Sequence, residues 1–193
     1  VSIMPRGRAL GITMQLPEED RFSQDKVRLL CTVTVLFGGR IAEELFMNQM
    51  TTGASNDFQR ATDLARRMVT QWGMSDALGT MVYGEEEGEV FLGRSVTTHK
   101  NMSEATMQTV DKEIRRILDE QYALARRLLE ENRDKVEAMT AALLEWETID
   151  GDQVKDIMAG KPPRAPKLVS SPPAPKSDDG GAASEAATTT APA

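Results

Sequence analysis

Apolar residues return at spacings of three and four through most of the first 160 positions, the period of one buried helix face. Leu29, Val33, Leu36, Phe37, Ile41 and Leu45 share such a face, which predicts a helix from an N-cap at Ser23 to about Met47. Gly38 and Gly39 interrupt it. A mid-helix glycine weakens a helix by roughly 1 kcal/mol relative to alanine, so the pair predicts a neighbour whose backbone comes close. A second stripe, Ala61, Leu64, Ala65, Met68, Val69 and Trp72, follows Asn56, an expected N-cap with Gln59 three residues on in the capping-box pattern. Gly73 should end that helix. Ser103 is expected to cap a long helix to about Asn132, with Met107, Val110, Ile114, Ile117, Leu118, Ala125, Leu128 and Leu129 inward. Val136, Met139, Leu143 and Trp146 predict a shorter helix. Val154, Ile157 and Met158 predict a last one over residues 151–159, stopped at Gly160.

Elsewhere the pattern changes. The opening "VSIMPRGRALGITMQLPEED" is broken by Gly7, Gly11 and two prolines and reads as a short β-strand segment with loops. The stretch "TMVYGEEEGEVFLGRS" has two β-prone runs around an acidic, glycine-flanked turn and reads as a β-hairpin. From residue 161 on, the chain holds seven of its nine prolines and no aromatic residue. Such a segment buries too little apolar surface to offset its ordering entropy. The expected fold is therefore mainly α: a helical body over residues 1–160 and a disordered tail over residues 161–193.

Charge narrows the partners. The whole chain carries −7 and the tail +1, which leaves −8 on residues 1–160. No basic stripe is present, so a nucleic-acid partner is not expected. Cys31, the single cysteine, lies in "VRLLCTVTVLF" and reads as a small buried side chain in a reducing compartment. No apolar run reaches the length of a membrane span and no signal peptide opens the sequence. The chain begins directly in patterned sequence at Val1, which suggests a piece of a longer protein.

Candidate chemistry is sparse. Asp57 stands in the first turn of the second expected helix behind the small residues Gly53, Ala54 and Ser55. There a carboxylate interacts favourably with the helix dipole, and a metal ligand whose partners lie elsewhere is the alternative. His99 has no second His and only Cys31 as a possible thiolate, too few for a zinc site. Glu43 and Glu44 are adjacent on a helix and cannot face one point; one is expected in solvent and the other beside Arg40. Glu85, Glu86 and Glu87 read as a solvated turn. No nucleotide loop, Ser/His/Asp set or HExxH occurs in the sequence, so no catalytic residue is assigned.

Taken together, "MPRGRALGITMQLPEED", "FGGRIAEELF", "TTGASNDFQRATDLARRMVTQWGMS", "EEEGEVFLGRS" and "ETIDGDQVKDIM" resemble the peptidase domain of the FtsH family, the bacterial membrane-anchored AAA+ zinc proteases. The motifs occur in the family's order and span nearly all of residues 1–160. The resemblance implies a helical peptidase domain in a homohexameric ring beneath its own ATPase domain. It also implies ATP and Mg2+ at that ATPase, a cytoplasmic-face location at the inner membrane, and unfolded or membrane-extracted proteins as substrates. It implies Zn2+ held by the two histidines of an HExxH helix and by the aspartate of "GASND", here Asp57. HExxH, the ATPase module and the membrane anchor are not in this chain, so the chain alone is expected to be soluble, cytoplasmic and proteolytically inactive. The segment 12–15, near the family's HExxH in sequence, could pair with an extended substrate as a strand edge. The rival reading is a non-enzymatic helical interaction or oligomerisation module, a truncated paralogue.

Overall fold

Three of the helices start where a side chain accepts a backbone N–H group that a first turn leaves unpaired. The computed structural model describes residues 1–5, 7, 11–14, 23–83 and 102–166. Five α-helices run through them: α1 (Lys26–Ala42), α2 (Ser55–Thr70), α3 (Glu104–Glu131), α4 (Arg133–Trp146) and α5 (Gly151–Met158). The cap of α1 is Asp25 rather than Ser23, its carboxylate accepting the Arg28 N–H at 2.8 Å. An anionic acceptor at the positive helix end outcompetes a neutral hydroxyl two residues earlier. Helical backbone continues to Met47 as expected, but its last stretch, Glu43–Met47, is a π-helical turn that Asn48 ends in the left-handed region (φ 47°).

The start of α2 also differs from expectation. Neither Asn56 nor Gln59 forms a capping box; a 3₁₀ turn, Thr52–Ala54, leads directly into Ser55, and the hydroxyl of Thr51 accepts the Gly53 N–H. Tertiary ties to Thr51, described below, fix the entry one turn earlier than local sequence suggests. Ser103 does cap α3, accepting the Thr106 N–H. The capping box belongs to α5, where Asp150 and Gln153 exchange bonds of 2.8 Å each way.

The core lies where α1, α2 and α3 meet. Val33, Phe37, Ile41, Ala61 and Ala125 form one cluster, and Ala65, Val69, Val110, Ile114 and Ile117 the next along the same helices. One polar pair interrupts it: the buried Thr34 hydroxyl lies 2.9 Å from Oε1 of buried Gln121, so neither group is orphaned. A second, smaller cluster of Ala142, Ile149 and Ile157 joins α4 to α5. The expected β-segment at the start is present as single bridges only. Ser2 pairs antiparallel with both Ile12 and Thr148, and the Ile149 N–H donates to Val1 O at 2.9 Å. Gly11 is required there, because a Cβ on it would lie 2.8 Å from Ser2 O.

Several buried-face expectations are corrected. Cys31 is exposed, because the inward side of α1 is set by Leu29, Val33, Phe37 and Ile41. Gly38 and Gly39 meet no close neighbour among the described residues, since a Cβ on either would have nothing within 4 Å. Trp72 is not on the α2 stripe but beyond the helix end and 44% exposed, where Gly73 turns the chain with φ 60°. Leu128 and Met158 also lie on outer faces. The expected hairpin lies largely outside the described residues, and so does the tail from residue 167 on. Before that point Arg164 folds back on α5: its guanidinium reaches Asp156 at 2.7 and 2.9 Å, and its carbonyl accepts from Gln153 at 2.9 Å.

Candidate metal-ligand site at the mouth of a helix

Asp57 lies in the first turn of α2, where free backbone N–H groups present a partial positive charge. Its side chain is half-buried, and among the described residues its carboxylate accepts no hydrogen bond and joins no ion pair. The polypeptide on both sides is tied down. Phe58, the next residue, packs 5.7 Å from the Phe37 ring and carries the Arg40 guanidinium 5.2 Å above its own ring.

On the other side, Thr51 is held by three bonds to α1 and its π-helical turn. The Thr51 hydroxyl donates to Glu43 Oε1 at 2.7 Å and its N–H to Glu43 Oε2 at 3.1 Å. Arg40 Nη2 donates to the Thr51 carbonyl at 2.6 Å. The same hydroxyl accepts the Gly53 N–H at 3.2 Å, and the Ser55 N–H closes the 3₁₀ turn on Thr52 O. The Thr51 hydroxyl first, then its amide, hold the Glu43 carboxyl below the usual carboxylate range.

Glu43 sits 3.8 Å from Arg40, as expected for one member of the acidic pair. The other, Glu44, is not in solvent. It accepts from Tyr122 and Arg126 of α3, and burial together with the Glu44 contact raises the Tyr122 phenol. Adjacent helical residues point about 100° apart, so the two carboxylates serve two neighbours. The role of Thr51 and Glu43 was legible only in part: the Arg40–Glu43 spacing signals an ion pair, but nothing in the sequence joins either residue to Thr51.

Zinc takes three or four protein ligands. Among the described residues no three His, Cys, Asp or Glu side chains lie close enough to hold a metal. An unpaired, half-buried carboxylate fits as one ligand; it does not fit as a zinc site by itself. His99 and the acidic run Glu85, Glu86 and Glu87 lie outside the described residues. Cys31 stands on the outer face of α1.

The sequence pattern of Peptidase family M41 matches residues 1–157. A protein of Cupriavidus metallidurans named ATP-dependent zinc metalloprotease FtsH is 63% identical over 172 residues, covering 89% of this chain and 26% of its own length. Proteins of the same name from Magnetococcus marinus and Photobacterium profundum are each 54% identical, covering 84% and 86% of this chain and 24% of their own lengths. The chain thus spans about a quarter of the length of the curated relatives it matches.

Proposed function

The chain belongs to peptidase family M41, and on that premise we propose that it is the C-terminal part of an ATP-dependent zinc metalloendopeptidase in which Asp57 is a zinc ligand. The observation that carries this reading is the Asp57 carboxylate: half-buried, unpaired among the described residues and set in a tied-down helix mouth. A half-buried carboxylate with no protein partner among the described residues keeps its oxygens free for a cation. Zinc, when bound, supplies a Lewis acid that lowers the pKa of its water. The residues of this chain do a narrower task, which is to present one anionic oxygen in a fixed place. The remaining ligands and the general base come from an HExxH helix outside this sequence.

The wider reading follows the family resemblance. The whole protein forms a homohexameric ring under its own ATP- and Mg2+-dependent ATPase, at the cytoplasmic face of the inner membrane, and degrades unfolded or membrane-extracted proteins. Among the described residues no helix is long and apolar enough to cross a membrane, so the anchor of this reading also lies outside them. The test is made in the full-length protease carrying this sequence. Asp57→Ala and Asp57→Asn should abolish stoichiometric zinc and ATP-driven casein degradation; unchanged zinc content in both would remove Asp57 from the metal. The separate 193-residue chain should not cleave casein with added zinc, and turnover by it would refute the incomplete-site reading.

A further inference from the structure

We propose that Glu43 is a positioning residue for Asp57, acting through Thr51. This rests on the reading of Asp57 as a zinc ligand. Both oxygens of the Glu43 carboxylate are committed to one residue, at 2.7 and 3.1 Å, so Thr51 is held at its hydroxyl and its amide together. Arg40 closes the third side by donating to the Thr51 carbonyl at 2.6 Å. Thr51 is extended (φ −108°, ψ 171°) and its hydroxyl caps the 3₁₀ turn that opens α2. Three residues of 3₁₀ turn and two of helix then separate the clamp from Asp57, with little freedom left in them.

The clamp has a foundation of its own. Glu43 begins the π-helical turn, a widened turn that occurs often at functional sites. Its neighbour Glu44 is fastened to Tyr122 and Arg126 on α3. The α1–α3 pair is thereby the fixed body, and Glu43 transmits its position to the entry of α2. A side chain hydrogen-bonded to a metal ligand typically contributes 10–100-fold to metal affinity without touching the metal, and Glu43 acts one step further back, through the backbone that Thr51 anchors. The geometry assigns Glu43 and Thr51 that part.

The test compares Glu43→Gln, Thr51→Val, Thr51→Ser and Asp57→Asn in the full-length protease. Zn2+ affinity is read by chelator competition, and amide hydrogen exchange is followed at residues 51–57 with the α3 amides as internal control. Both E43Q and T51V should weaken zinc roughly 10–100-fold and speed exchange at residues 51–57 while α3 stays protected. T51S, which keeps the hydroxyl, should restore both readouts. Loss of zinc in E43Q with none in T51V would mean that Glu43 meets the metal itself, and would overturn the proposal. Wild-type zinc affinity in both, or no rescue by T51S, would overturn it as well. Intact zinc in D57N would instead remove the ligand reading underneath it.

Discussion

The α1–α2–α3 core and the α4–α5 cluster are held together by different means. In the first, three long helices bury aligned apolar rows, and Val33, Ile41, Ala61, Ala65, Met68 and Val69 are fully inaccessible. In the second, three buried apolar residues are supplemented by directed bonds. Ser2 bridges Ile12 and Thr148, Gln153 is buried with both its amide groups engaged, and Arg164 grips Asp156. Many parallel apolar contacts tolerate the loss of any one polar group. A small cluster that relies on a few hydrogen bonds does not, because each broken bond leaves a buried partner unsatisfied. The candidate site lies against the robust region, at the α1–α2 junction, and its clamp is anchored to it through Glu44.

Four substitutions or conditions test that contrast in order of expected effect. Ile41→Ala removes a side chain with 0% exposure from the larger core and should cost about 2–5 kcal/mol in urea unfolding of the chain. A cost under 1 kcal/mol would show that the three-helix core is not the stabilising body. Gln153→Ala leaves the Asp150 N–H and the Arg164 carbonyl without their partners and should cost about 1–3 kcal/mol. Its loss of protection by hydrogen exchange should be confined to α4, α5 and residues 1–3, and spread into α2 would erase the distinction between the regions. Asp25→Ala deletes only the cap of α1, for about 1 kcal/mol, and fraying should stop within the first turns because Leu29 and Val33 hold the rest.

The smallest effect is a pH dependence. Hydrogen bonds from Arg164 press the Asp156 carboxyl down to about 2 from an ordinary 3.8. A depressed folded pKa gives stability that is full above the unfolded value and fades as pH falls through the folded one. The contact should therefore hold from neutrality to about pH 4 and be lost toward pH 2. Arg164→Ala should remove this dependence, measured as the Asp156 titration by NMR, with the α1–α2–α3 amides unmoved.

Local rules carried far in this chain. The extent of α3 from its Ser103 cap, the stripe of α2 through Val69 and the last two helices all follow from apolar spacing and capping chemistry within a few turns. Asp57 could be singled out from the small residues before it and the motif that contains it. What it does there could not be read from residues 51–68 alone, because dipole stabilisation and metal ligation ask for the same carboxylate at the same place.

Tertiary structure decided what local rules left open. Periodicity marked the inner row of α1, Leu29, Val33, Phe37 and Ile41. Apolar residues also stand on its outer side, with Val27 and Val35 70% and 64% exposed, and Cys31 among them was placed wrongly from its apolar neighbours alone. Neighbouring capping residues compete within a fraction of a kcal/mol to about 1 kcal/mol, and tertiary ties such as those on Thr51 settle the start of α2. The destinations of Glu43 and Glu44 depend on residues 8 and 78 or more positions away. The sequence alone determined which segments are helical and singled out Asp57 as the candidate ligand. Only the packed structure determined which residues at the margins of the helix faces, such as Cys31 and Trp72, stay exposed and what ties Thr51 and Glu44 down, because burial and long-range hydrogen bonds exist only between segments already brought together.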